Sequence, residues 1–170
     1  MSEPTVAPGL TVTRAAPSDA EPLGRFFAHH RGSASNETFD PFELTAERAR
    51  AIACEPSSDL FFLARLDGEI VALSMLRGFD EGYEIPSFGI LVDQERQGSG
   101  IGRSLTTWTL RAARAQGCPA VRLSVYARNE RAVALYESLG FVEQSRAPVD
   151  RGGTADHRVV MLLAWEQSPG

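Results

Sequence analysis

The stretch ILVDQERQGSGIGR, residues 90–103, does most to limit what this chain can fold into. A short apolar run ends at Val92 and reads as a strand. Gly98, Gly100 and Gly102 follow at alternate positions, and a helical pattern then runs from about Gly100 to Gln116, where Gly117 stops it. A strand that turns through glycines directly into a helix demands a sheet with that helix packed on it. The same turn makes an anion site. Glycine lets a ligand approach the main chain, the first helical N–H groups lack intrahelical partners, and the helix dipole adds positive potential. Arg96 and Arg103 bring local charge to a chain whose formal charge is −5. A phosphorylated ligand is the natural guest. The dinucleotide pattern G-x-G-x-x-G fails in both registers, because Arg103 or Leu105 stands where its last glycine belongs.

Composition removes whole classes of chemistry. The 17 basic residues are all Arg. Without Lys there is no Walker A loop, no protein-kinase phosphate lysine and no Schiff base. The acidic balance argues against nucleic acid or an anionic membrane as partner. Cys54 and Cys118 are too few for a disulfide framework and read as buried reduced thiols. The start, MSEPTVAPGL, lacks a basic segment followed by an apolar one, and no run reaches the ~18 apolar residues of a membrane helix. A cytoplasmic protein is expected.

With 170 residues the chain is one domain's worth. Residues 1–9 and 167–170 are expected to be flexible ends around a domain at 10–166. A strand fits Leu10 to Arg14. Ser18 and Glu21 form a capping box for a helix whose apolar face is Leu23, Phe26, Phe27 and His30. A polar loop follows to residue 42, and Thr45 caps a short helix to about Cys54. Leu60–Leu66 and Glu69–Leu76 are strands joined by Asp67-Gly68 as a type I′ turn. A strand is expected from about Tyr83 to Val92, another at Val121–Tyr126, and a helix from Asn129 to Leu139-Gly140. Phe141 begins a strand, Arg146–Ala155 reads as a loop, and His157–Trp165 is the last strand. The class is mixed α/β.

A second segment, LSVYARNERAVALYESLGFVE at residues 123–143, completes a pattern. The two segments together resemble the GNAT superfamily of acyl-CoA-dependent N-acetyltransferases. The family's loop motif, Gln or Arg, two residues, Gly, one residue, Gly or Ala, is met by Gln97-Gly98-Ser99-Gly100-Ile101-Gly102. Its next motif is met by Asn129, Ala132, Leu135-Tyr136 and Leu139-Gly140-Phe141. The resemblance runs over about residues 10 to 165 and is dense from 85 to 143. It implies a single domain with a central mixed, mostly antiparallel sheet of about six to seven strands, flanked by about four helices. It implies acetyl-CoA as cosubstrate, with no metal, and acetyl transfer to the primary amine of a small molecule by direct attack in a ternary complex. Peptide N-terminal acetylation and a non-catalytic acyl-CoA-binding domain are the alternatives. A homodimer is allowed, although no apolar stripe marks an interface.

The resemblance also assigns residues. The amides from Gly98 to Arg103, including those of Ser99, Gly100, Ile101 and Gly102, would hold the pyrophosphate, with Gln97 opening the motif. The backbone of Ile90, Leu91 and Val92 would pair with the pantetheine arm along a strand that carries a bulge and splays from its neighbour. An amide near Leu91 would polarise the thioester carbonyl. Asn129 would contact the arm or order its loop, and Ala132 would line the coenzyme. Tyr136 matches the usual general acid. A phenol of pKa about 10 can protonate a departing thiolate of pKa about 8.5. Two positions where members carry a carboxylate correspond to Pro86 and Ser124, and the second departs from the ribosomal-protein alanine acetyltransferases. Glu84 shares Pro86's strand face and is nominated as base. Core packing for Tyr136 and a solvated role for Glu84 are the competing readings. His29 and His30, adjacent on a helix, are read as facing different sides and not as a metal pair. His157 is a minor candidate. The acceptor site would be residues 29–45 and 146–156, with Glu37, Asp40, Glu43, Phe39 and Phe42 making an acidic, aromatic-edged cleft for a cationic or hydroxylated amine.

Overall fold

The computed structural model describes residues 7–33, 38–39 and 41–166. Among these, seven strands form one sheet in the order β1-β2-β3-β4-β5-β7-β6. They are β1 (Leu10–Arg14), β2 (Leu60–Leu66), β3 (Glu69–Arg77), β4 (Ser87–Val92), β5 (Ala120–Tyr126), β6 (Val142–Arg151) and β7 (Thr154–Ala164). Every neighbouring pair is antiparallel except β4 and β5. The helices are α1 (Ala20–His30), α2 (Ala46–Cys54), α3 (Ile101–Ala115) and α4 (Glu130–Ser138). None is long and apolar enough to cross a membrane.

Two helices cover each face of the sheet. On one face, Leu23 and Phe27 of α1 and Ala49 of α2 pack on Leu63, Leu73, Met75 and Leu91. On the other, Ile101, Leu105 and Leu110 of α3 and Tyr136 of α4 pack on Phe62, Leu76, Phe88, Val121 and Leu123. Phe27, Leu63 and Leu105 are fully buried, each contributing about 1.5–3 kcal/mol by removal from water. Ser74 of β3 and Thr109 of α3 meet in the core at 2.7 Å, so neither buried hydroxyl is orphaned.

Several expected boundaries move. The strand expected from Tyr83 begins at Ser87, because the preceding loop is folded on itself. The Asp59 carboxylate accepts from the amides of Gly78 and Phe79, both at 2.9 Å, and Gly78 and Gly82 have φ of 113° and 84°. Residues 146–155 are not a loop: β6 and β7 pair through Arg151↔Thr154 across Gly152-Gly153. β6 lies at the sheet edge, so it carries no apolar alternation to betray it. Ser18 does not cap α1; it lies in a 3-10 turn, and the Asp19 carboxylate accepts from the Ala16 amide at 2.8 Å while pairing with Arg65. Cys118 is buried as expected, but Cys54, at the end of α2, is exposed. Residues 1–6 and 167–170 lie outside the described residues. Of the expected loose start, Ala7 is held, its amide donating to Ser104 Oγ at 3.0 Å.

Candidate active site

β4 and β5 share a single registered pair, Ser87↔Arg122, and then part. No bulge causes this: β4 keeps continuous register with β3 from Ser87↔Arg77 to Val92↔Ala72. Two hydrogen bonds show which main-chain groups face the gap. The Asp93 amide donates to Val71 O on the β3 side at 2.8 Å, and Pro86 O accepts from the Arg122 amide on the β5 side at 3.0 Å. Strand groups alternate in direction. The N–H and C=O of Ile90 and Val92 therefore face the gap, and those of Leu91 face β3. Of the three residues expected to pair with the arm, Leu91 turns its main chain to β3 and packs its side chain in the core at 2% exposure, which leaves Ile90 and Val92.

The glycine loop closes one end of the gap. Gly98 and Gly100 both have φ of 86°, a left-handed conformation that strains any residue with a Cβ, and Gly100 is the N-cap of α3. Asp93 Oδ1 accepts from the Glu95 amide at 3.1 Å and organises the 3-10 turn Gln94–Arg96. Ile101 is packed in the core at 2% exposure, so only its main chain can serve a ligand. Arg103 donates to Ser138 Oγ at 2.9 Å, which ties α3 to α4. Asn129 caps α4, its Oδ1 accepting from the Ala132 amide at 3.3 Å. The cap fixes the start of the helix, and Asn129 itself lines the gap.

These parts line a cleft of about 790 Å³ that includes Ile90, Val92, Gly98, Asn129, Ala132 and Tyr136. Tyr136 is 7% exposed, with Phe88 and Phe141 edge-on at 6.1 and 5.7 Å between ring centroids. It is both a core aromatic and a cleft residue. Burial pushes its hydroxyl well above the usual tyrosine range, so it holds its proton throughout the physiological range.

Glu84 is not brought to this cleft. It lies in the loop before β4 and lines a separate cavity of about 510 Å³ with Tyr83, Ile85 and Arg122. Proline at 86 and the Asp59-bound turn keep this segment out of the strand whose alternation was to aim it. His157 belongs to the face of β7 opposite Arg158, which does line the cleft. His29 and His30 do not diverge: they and Asp93 place one ligand atom each within 4.8 Å of one another. His30 is buried as a core residue against Phe26, and burial lowers its imidazole pKa despite the opposing Asp93 charge.

Two arginines were not singled out from the sequence. Arg131 reaches back over Gly98, and Arg158 reaches in from β7. Arg131 carries one available signal, its place between Asn129 and Ala132 in the second motif. Arg158 carries none, since only strand pairing brings it here. With Arg96 and Arg103 they make the described lining cationic, and no carboxylate is among those residues. The acidic groups expected at the acceptor cleft are not among those described lining residues. Phe39 does line it, Glu43 is exposed elsewhere, and Glu37 and Asp40 lie outside the described residues.

A gap edged by main-chain donors and acceptors, closed by a left-handed glycine cap and flanked by arginines, suits a diphosphate carrying an extended amide-containing arm. Residues 26–141 match the Acetyltransferase (GNAT) family. The chain belongs to the GNAT family. It is similar to the mycothiol acetyltransferase of Streptomyces coelicolor, 34% identical over 149 residues, covering 84% of this chain and 46% of that protein. The mycothiol acetyltransferase of Thermomonospora curvata is 35% identical over 149 residues, with 83% and 47% covered. The chain thus spans about half the length of the curated relatives it matches. Among solved structures, a GCN5-related N-acetyltransferase from Kribbella flavida superposes with a TM-score of 0.77 at 25% identity, covering 92% of this chain and 98% of that one. The yncA protein of Salmonella typhimurium, solved with acetyl-CoA, gives 0.77 at 18% identity, covering 95% and 97%. The seven-stranded mixed sheet with four helices is the GNAT fold, and acetyl-CoA is the coenzyme of GNAT acetyltransferases.

Proposed function

We propose that residues 10–166 form one catalytic domain that transfers an acetyl group from acetyl-CoA to the amine of a small molecule. The observation that carries this reading is Tyr136, a proton-holding phenol in the wall of the cleft that opens where β4 and β5 part. The mycothiol acetyltransferase relatives support a small acceptor.

Acetyl-CoA, when bound, supplies a thioester: the acyl C–S bond breaks, a C–N bond to the acceptor forms, the amine gives up a proton and the thiolate takes one. The chain's own residues do the rest. Main-chain groups of Ile90 and Val92 would hold the arm by strand-like pairing, and one of these amides would polarise the thioester carbonyl. The amides from Gly98 to Arg103, with Arg96, Arg103 and Arg131, would hold the diphosphate. Asn129 keeps the loop before α4 in place. Tyr136 donates its proton to the leaving sulfur. The acceptor reacts as the neutral amine, its proton passing to solvent water.

Two measurements test this. Acetyl-CoA at 100 times its Kd adds about 2.7 kcal/mol to stability, a Tm rise of about 5–10 °C for a domain of this size, whereas NAD and ATP leave Tm unchanged. A panel of amines with acetyl-CoA and a thiol-detecting reagent should then show acceptor-dependent release. Absence of any shift with acetyl-CoA would refute the coenzyme site.

A further inference from the structure

We propose that the cavity beside Tyr83 and Ile85 is the outer part of the acceptor site, and that it favours amines carried on an apolar chain long enough to enter it. This deepens the acyl-transfer reading and rests on it.

The cavity and the cleft open on the same face of the sheet. Leu123, Val125, Val159 and Met161 face α3 and α4 in the core, so Arg122 and Ser124 of β5 and Val160 and Leu162 of β7 face the other way. On β4, Phe88 faces α3 and α4 while Leu91 faces α1 and α2, which puts Ser87 on that second face too. Ser87 and Ser124 line the cleft. Arg122, registered with Ser87, and Val160, registered with Ser124, line the cavity of about 510 Å³. The two spaces therefore meet at neighbouring side chains where β4 and β5 begin to part. A volume of this size holds one small molecule.

The wall of the cavity is apolar where no core requires it. α1 and α2 cover this face over β2, β3 and β4, and no residue of β5, β6 or β7 belongs to the core they form. The uncovered strip nonetheless carries Val160 and Leu162, with Val142 of β6 registered against Leu162. Tyr83, Ile85 and Val142 are the exposed large apolar side chains among the described residues, at 65%, 36% and 61%. All three gather here: Tyr83 and Ile85 line the cavity, and Val142 adjoins Leu162. Apolar side chains scattered singly on a surface need no explanation, but a contiguous group rimmed by polar residues marks a binding surface.

Tyr83 is pinned. Its amide donates to Gly78 O at 2.9 Å, and its ring lies against Gly78, where an added β-carbon would come within 3.2 Å of Tyr83 Cδ2. The Asp59 carboxylate fixes the same turn. The ring is thus oriented before a ligand arrives, which lowers the ordering cost of binding. Glu84 and Arg122 are exposed, line the same cavity and carry opposite charges, so neither sign of ligand charge is favoured there. What this wall rewards is removal of apolar surface from water. Ser124 and Arg122 are two residues apart, about 7 Å along β5. With covalent bonds of about 1.5 Å, an amine reacting at the parted strands needs a chain of about five carbons to reach Leu162 and Ile85.

The experiment compares straight-chain primary amines from ethylamine to octylamine, whose nitrogens are alike in basicity, as acceptors for the whole chain with saturating acetyl-CoA and a thiol readout. kcat/KM should stay level to about butylamine and then rise about two- to fourfold per methylene. In the double variant Tyr83→Ser, Ile85→Ser the octylamine-to-ethylamine ratio should fall by on the order of 10-fold, through KM more than kcat. Both side chains are exposed, and the acetyl-CoA shift in Tm reports whether the variant is folded. A rate that ignores chain length, or a length preference that survives in the double variant, would overturn the inference. So would a mass of two chains in sedimentation that becomes one chain in that variant, because a second copy would then cover this face. Transfer to none of the amines, with the acetyl-CoA shift intact, would overturn it and leave the coenzyme site standing. Neither shift nor transfer would overturn the acyl-transfer reading itself.

Discussion

The guanidinium of Arg131 closes over Gly98: a β-carbon built on that glycine would lie 2.8 Å from Arg131 Nη2. The contact joins the glycine loop before α3 to the first turn of α4. Two motifs distant in the chain therefore form one wall of the cleft.

Gly98→Ala should weaken acetyl-CoA binding by on the order of 10-fold. The substitution adds left-handed strain of about 1–2 kcal/mol and displaces Arg131. Isothermal titration on Gly98→Ala, Arg131→Ala and the double variant separates the two causes. If Arg131 supplies the diphosphate with charge, Arg131→Ala alone weakens binding, and adding Gly98→Ala costs less than it does in the native background.

Tyr136→Phe should lower kcat by on the order of 100-fold while KM for acetyl-CoA stays within a few-fold. Phenylalanine keeps the packing on Phe88 and Phe141, so Tm should hold. Unchanged turnover would leave Tyr136 as a core aromatic only.

Glu84→Gln should leave the pH–rate profile superimposed on that of the native protein, because Glu84 lines the other cavity. The native profile itself should rise about tenfold per pH unit until the acceptor amine is neutral. A shift of the acidic limb in Glu84→Gln would return the base role to that carboxylate.

His30 gives the fold a pH dependence of known sign. Burial lowers its pKa below the unfolded value of about 6.5, so in that window the unfolded chain binds more protons. The His30 contribution is whole above pH 6.5 and declines as pH falls toward the folded value. Urea unfolding from pH 7.5 to 5.5 should show stability dropping with acid, and His30→Gln should flatten that slope. Equal slopes would show that His30 keeps its ordinary pKa in the fold.

The amino-acid order by itself determined the elements that carry strong local signals. The hairpin at Asp67-Gly68, the Thr45 and Asn129 caps, the glycine stop at Gly117 and the apolar face of α1 all depend on residues within one or two turns of each other. The glycine loop and Tyr136 were legible for the same reason: their chemistry is written in contiguous motifs. Strand pairing decided what lay beyond that range. Which amides face the parted strands depends on the register of β4 with β3, and of the three expected residues this leaves Ile90 and Val92 facing the gap. The edge strand β6 has no buried face and so left no alternation to read. Arg158 and Arg131 became part of the site only when distant segments met, because a charge has no periodicity and takes its meaning from what folding sets beside it.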